Sequence, residues 1–289
     1  MSNKEFIIEN GILTKYLGEA ENVMIPDGVT KIGDEAFGRC KSIINVVVPE
    51  GVKRIGVWAF GFCENLQSIN IPDSVTKIDR WAFRGCKNLE SIKFGKKVTS
   101  IGESAFEYCQ KLASVSTNDK VKSIGSFAFA RCTNLKSIDL PSSLQTIGFD
   151  AFAQCSCNIE TITVAPNNTA YHSVDNCLIE TATNTLILGC KNSTIPNGIV
   201  KLDHFAFESC HGLTNVTIPD SVTSIEDYVF GYCENLTSVK IGNNVAHIGV
   251  GAFGNCPKLT IYAPSGSYAE GYAKENNITF VATGERSSK

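Results

Sequence analysis

The sequence predicts a repeat solenoid of the mixed α/β type, dominated by short parallel β-strands, and three observations carry that prediction. An Ala-Phe pair with a cysteine three places further on occurs at Ala36-Phe37/Cys40, Ala59-Phe60/Cys63, Ala82-Phe83/Cys86, Ala105-Phe106/Cys109, Ala128-Phe129/Cys132 and Ala151-Phe152/Cys155, a constant step of 23 residues. It resumes at Ala206-Phe207/Cys210, Val229-Phe230/Cys233 and Ala252-Phe253/Cys256. Apolar residues ahead of each pair keep one phase, as in Leu66, Ile69, Ile71, Val75 and Ile78. A fixed period of roughly 20 to 50 residues marks stacked repeats, in which no unit buries its own apolar face and neighbours complete one another's core. About ten units of 23 residues are expected.

With 289 residues and a formal net charge of −3, the chain shows no basic run, which argues against a nucleic-acid partner. No segment reaches the roughly 18 consecutive apolar residues of a spanning helix, so no membrane insertion is expected. The opening MSNKEFIIENG lacks the charged, apolar and cleavage regions of a secretory leader, and a soluble chain is expected. Because a solenoid lengthens by adding repeats, one elongated domain is expected rather than several cores.

Residues 1–19 fall outside the repeat register. Phe6, Ile8 and Ile12-Leu13 around the turn signal Asn10-Gly11 predict a β-hairpin that caps the first repeat. The solenoid is expected over 20–258, with units starting near residues 20, 43, 66, 89, 112 and 135. Within a unit, Leu66, Ile69 and Ile71 predict a short strand with alternate side chains inward. Pro72 has no amide hydrogen for a ladder and ends that strand, as do Pro26, Pro49, Pro141, Pro196 and Pro219 in their units. Val75 and Ile78 predict a second strand. Asp79 then stands where other units carry Gly33, Gly56, Gly102, Gly125, Gly148 and Gly249, which predicts a turn with positive φ, with Glu226 as an exception. The closing WAFRGC predicts one helical or 3₁₀ turn that sends Phe83 and Cys86 inward. In the fifth unit Thr117-Asn118-Asp119 replaces the apolar-proline pattern, so its strand is expected to end early. Residues 159–189 predict a longer repeat with a protruding hairpin, its strands at 176–180 and 185–188 around Thr183-Asn184. At the end, 259–281 predict a cap: a strand from Leu259, a helix over 267–277 with Ser265 or Ser267 as N-cap, and a strand at 278–281, with 282–289 as a tail.

Nine of the 12 cysteines occupy one column of the repeat. Stacked strands ~4.8 Å apart bring their Cα atoms within bridging range, but parallel Cβ vectors hold the Cβ atoms beyond the ~3.8 Å of a disulfide. They are expected as buried thiols acting as small hydrophobes. Cys157 forms a CxC with Cys155 and finds no second pair for a zinc site. Cys177 and Cys190 lie equidistant from the hairpin turn, which leaves a bridge open there if the protein is exported. His172, His204, His211 and His247 fall in no metal or catalytic spacing, and no phosphate loop, nucleophile elbow or paired carboxylates appear. No catalytic, cofactor-binding or metal residues are expected.

Two surfaces remain. The outward positions of the first strand are small and polar, as in Ser68 and Asn70, Ser91 and Lys93, or Ser238 and Lys240, and read either as a solvated sheet or as a hydrogen-bonding face. The residue before the Ala-Phe pair is aromatic at Trp58, Trp81, Phe127, Phe205 and Tyr228, and four places on come Phe62, Tyr108 and Tyr232. With the inward slots filled by Phe and Cys, this column is expected at the surface, either packing between repeats or forming an interaction stripe.

The units LxSIxIPxSVTxIGxxAFxxC resemble the BspA-like (Treponema pallidum type) leucine-rich repeats, with Leu66, Ser68, Ile69, Ile71, Pro72, Ser74, Val75, Thr76 and Ile78 agreeing nearly position by position. FIIENGILTKY, YHSVDNCLIE and YAEGYAKENNITF are similar to the family's caps and long repeats, so the likeness covers 6–281. It implies a right-handed leucine-rich-repeat solenoid. It also implies a bacterial secreted or cell-surface protein without catalytic residues, adhesin-like, whose partner is a host matrix or cell-surface protein or a glycan. Self-association through the stripe is a further reading, and the opening residues leave the cytoplasm open as a location. The alternative is a structural spacer that displays another domain.

Overall fold

The computed structural model describes residues 5–156 and 158–285, so Cys157 of the CxC pair and residues 286–289 of the tail lie outside it. The chain divides into two compact units, Met1–Cys155 with Ala165–Asn168, and Ser156–Val164 with Thr169–Lys289. Each is a β-solenoid of short, mostly parallel strands, and the second holds the helix.

In the first unit, Phe6–Glu9 pairs antiparallel with Ile12–Tyr16 through an Asn10-Gly11 turn with φ of +51° and +76°. Ile12–Tyr16 then heads a parallel ladder of two-residue strands, Lys31–Ile32 through Thr146–Ile147, in which Ile32, Ile55, Ile78, Ile101, Ile124 and Ile147 stand in register. A second ladder stacks Asn22–Met24, Asn45–Val47, Ser68–Asn70 and Ser91–Lys93. The fifth unit's strand, Ser114–Ser116, does not end early; it is as long as Ser91–Lys93 and pairs onward with Ser137–Leu140. Asn118 takes the proline's place and donates its side-chain amide to Gly95 O and Val98 O at 2.7 and 3.2 Å.

The closing segment corrects the expected helical or 3₁₀ turn. It is a run of tight turns in which the residue before each Ala-Phe pair and the residue before each column cysteine are left-handed. In this unit they are Glu35, Trp58, Trp81, Ser104, Phe127 and Asp150, and Arg39, Phe62, Gly85, Tyr108, Arg131 and Gln154, with φ between +49° and +74°. A helix would spend its N–H groups within its own turn. Here every second one reaches the next repeat: Trp58, Phe60 and Phe62 donate to Arg80 O, Ala82 O and Arg84 O at 3.4, 2.7 and 2.7 Å. That satisfies backbone groups which a segment this short would otherwise leave without partners.

The glycine column is also corrected, because none of its members has positive φ. A Cβ at Gly102 would lie 2.5 Å from Arg80 N, and one at Gly125 2.5 Å from Glu103 N, so glycine serves the close approach of successive turns. Asp79 stands in this column buried, bonded to the Arg54 guanidinium through Nε and, at 2.9 Å, Nη2, with Lys77 Nζ at 3.5 Å.

Inside, Phe37, Phe60, Phe83, Phe106, Phe129 and Phe152 form a stack with centroids 4.8–5.6 Å apart. Tyr16 closes it, 5.0 Å from Phe37. Each column thiol lies beside this stack with a partner: Cys63, Cys86, Cys109 and Cys132 donate to the carbonyls of Phe37, Phe60, Phe83 and Phe106 at 3.1–3.3 Å. The cysteine is therefore a small hydrophobe that also ties one turn to its predecessor. Burial pushes these four thiols well up from their ordinary range.

In the second unit Tyr171–Val174, Cys177–Glu180 and Thr185–Leu188 form an antiparallel meander, and the last of these pairs in parallel with Lys201–Leu202, followed by Ser224–Ile225 and His247–Ile248. The hairpin expected to protrude is the head of this ladder. Leu186 stands against Leu202 as Leu13 stands against Ile32 in the first unit. A bulge sets Leu178 against Leu188, which puts Cys177 and Cys190 one place out of register; both are buried thiols beside Ser193, whose hydroxyl is 3.6 Å from Cys190 Sγ. Desolvation raises the Cys177 thiol to about 12. The helix spans Tyr268–Glu275 with Ser267 as N-cap, and Thr279–Glu285 runs past the expected end at Val281 to pair with Thr260–Ser265.

Candidate functional site

All eight aromatic residues that the sequence singles out are left-handed: Trp58, Phe62, Trp81, Tyr108, Phe127, Phe205, Tyr228 and Tyr232 have φ of +54° to +64°. That conformation costs a residue with a Cβ roughly 1–2 kcal/mol. It turns the amide toward the next repeat and leaves the side chain outside. Trp58 and Phe62 thus share a face because both are left-handed, and not because a helix spaces them. Seven of the eight are half-buried, and Tyr232 is 44% exposed.

In the first unit four of them gather. The Trp58 indole stacks on Phe62 and on Trp81, with centroids 5.4 Å apart in both pairs. Arg80 lies 4.6 Å from the Trp81 ring, Arg131 4.7 Å from Tyr108, and Arg84 reaches Trp58 and Tyr108 at 5.7 and 5.8 Å. Glu107 holds Arg84 in place, its Oε2 being 2.9 Å from Nε. Phe127 turns edge-on to Phe149 at 5.8 Å. In the second unit Phe205 stacks on Tyr228 at 5.6 Å and 3°. The arginines were not singled out in the sequence, because they share no slot: Arg84 directly follows its Ala-Phe pair, Arg131 stands one place later in its own unit, and Arg80 precedes Trp81.

On the strand face Asn45 donates to Asn22 at 2.8 Å and Ser68 to Asn45 at 2.6 Å, while Met24 and Val47 stand exposed among them. His204 lies 3.8 Å from both Glu226 and Asp227, and Lys201 bridges Glu226 and Asp203. Among the described residues no group of three or more His, Cys, Asp or Glu side chains is placed to hold a metal ion.

Paired short parallel strands, a Phe-Cys interior and a polar strand face define a leucine-rich-repeat solenoid. The family model of the BspA type leucine rich repeat region matches in six copies, over residues 8–114, 59–181 and 185–273, and the chain belongs to that family. Among solved structures, a leucine rich cell surface protein of Faecalibacterium prausnitzii is 28% identical, with 98% of this chain and 93% of that one covered at a TM-score of 0.69. A leucine-rich repeat protein of Eubacterium ventriosum is 22% identical (91% and 68% covered, TM-score 0.68), and the pneumococcal vaccine antigen PcpA 18% identical (96% and 95%, TM-score 0.52); these two share the fold. No curated protein matches the chain.

Proposed function

We propose that the chain is a non-enzymatic interaction module of the cell surface, adhesin-like, which binds a protein or glycan through the aromatic row of its first unit. The observation that carries this reading is the Trp58–Phe62–Trp81 stack with Tyr108 and its arginines, outside a core whose inward columns are already filled. Rigidly held, part-exposed Trp, Tyr and Arg side chains carry most of the energy at interfaces. The likeness to the F. prausnitzii cell surface protein supports the location. Phe127, Phe205, Tyr228 and Tyr232 are proposed as further contacts. About ten right-handed units, a hairpin cap over 1–19 and a helix-strand cap that starts at 259 and includes the strand Thr279–Glu285 complete the reading.

The second reading, a structural spacer, draws on the stacking itself, since rings that pack on the next repeat can serve the fold alone. Capture of immobilised matrix proteins and mucin glycans by the full chain and by Trp58→Ser/Trp81→Ser separates the two. A loss of at least about tenfold in affinity supports the module. Equal capture by both, or none by the unaltered chain, favours the spacer.

A further inference from the structure

The ring column of the first unit runs back from Trp81 to Trp58 and stops, because one repeat earlier the same left-handed position holds Glu35. A groove of about 490 Å³ opens there, lined by Lys15, Glu35, Arg39, Trp58 and Phe62 and floored by Gly38 and Gly61. We infer that this groove takes a pyranose ring bearing a carboxylate or sulfate, an inference that rests on the interaction-module reading above and names the ligand at one end of its row.

Three features point to that chemistry. Trp58 is a fixed platform: Phe62 and Trp81 stack on it, and its ring lies so close over Gly61 that any Cβ there would meet Cε3. A flat indole at the mouth of a groove is the surface on which the C–H face of a sugar ring rests. The charges are complementary to an acidic sugar. The Lys15 ammonium, which donates to Glu35 O at 3.3 Å, and the Arg39 guanidinium outnumber the single Glu35 carboxylate, so one anionic substituent is balanced by charge-assisted hydrogen bonds while the carboxylate accepts from ring hydroxyls. The volume lies within the roughly 300–1,000 Å³ of small-molecule sites. An aromatic side chain from a peptide would fit the platform but would desolvate three charged groups against an apolar ring, which is unfavourable.

Trp81→Phe leaves Trp58 as the single tryptophan of the two in the chain, and phenylalanine already fills the same slot at Phe127. Titration of this variant with tetragalacturonate is expected to give a saturable change in Trp58 emission, at least about tenfold weaker with neutral maltotetraose and weakened by added salt. Glu35→Trp, which continues the ring column into the groove, is expected to abolish tetragalacturonate binding in calorimetry. Arg39→Asn, which keeps a residue tolerant of the left-handed region, should weaken it at least about tenfold. Absence of a saturable response, an equal response to the neutral sugar, indifference to both groove variants, or saturation by N-acetyltyrosinamide instead would overturn the inference. If the sugar fails while Trp58→Ser/Trp81→Ser still loses capture of a matrix protein, the sugar site falls and the module stands; if the sugar binds and matrix-protein capture is unchanged, the sugar site stands and the row falls as a protein-binding surface.

Discussion

At the scale of the residue, the chain uses two side-chain types against their usual habits. Tryptophan, tyrosine and phenylalanine occupy left-handed positions, and the strain is offset by a hydrogen bond from the backbone N–H to a carbonyl of the next repeat and by ring stacking. This was not legible in the sequence, since nothing in the local pattern of WAFRGC marks a tryptophan for positive φ. Ser209 has the same geometry as Gly85, with φ of +58°. Ser209→Gly should therefore raise stability by roughly 0.5–1 kcal/mol and Ser209→Val lower it by roughly 1–2 kcal/mol in denaturant titrations. Cysteine is the second case: its column was legible as buried, its role as a donor to the preceding phenylalanine carbonyl was not. Because burial raises the folded-state pKa of Cys63, Cys86, Cys109 and Cys132, the folded chain keeps protons that the unfolded chain releases. Stability should thus be flat below about pH 8 and fall above it, by up to about 1.4 kcal/mol per pH unit for each thiol still protonated. Unfolding midpoints measured from pH 7 to 10 check this; a stability that is constant or rises over that range contradicts it.

At the scale of the element, period 23 disclosed both strands of each repeat, because inward positions such as Ile69 and Ile78 must be apolar wherever the turn recurs. Strand Tyr171–Val174 escaped notice because YHSV has no clean alternation and is fixed by its partner Cys177–Glu180 across an Asp175-Asn176 turn with both residues left-handed. The glycine column was legible as special, though for the wrong reason. Close approach and positive φ predict different mutants. Gly102→Ala drives a Cβ into Arg80 backbone and should cost at least about 2 kcal/mol. Gly28→Ala, with φ of +87° and nothing within 4 Å, should cost about 1 kcal/mol. Equal losses from the two in thermal or denaturant unfolding would mean that packing between turns does not govern the column.

At the scale of the whole molecule, each repeat divides its positions between an inner set that holds the fold and an outer set left at the surface, and each of the two units heads its main ladder with an antiparallel hairpin. The second hairpin read as an insertion because register is lost over 159–189, while its pairing with Lys201–Leu202 rests on contacts that a linear pattern does not display. The division of labour is tested most directly by one paired measurement, of stability and of affinity per folded molecule for the captured ligand, on two variants of the full chain. Phe106→Ala removes a fully buried ring between Phe83 and Phe129 and should cost about 3–5 kcal/mol with affinity unchanged. Trp58→Ser/Trp81→Ser removes stacking and cation–π contacts worth about 2 kcal/mol in all and should lower affinity at least about tenfold. A double variant that loses stability on the scale of Phe106→Ala while binding as tightly as the unaltered chain would contradict the account.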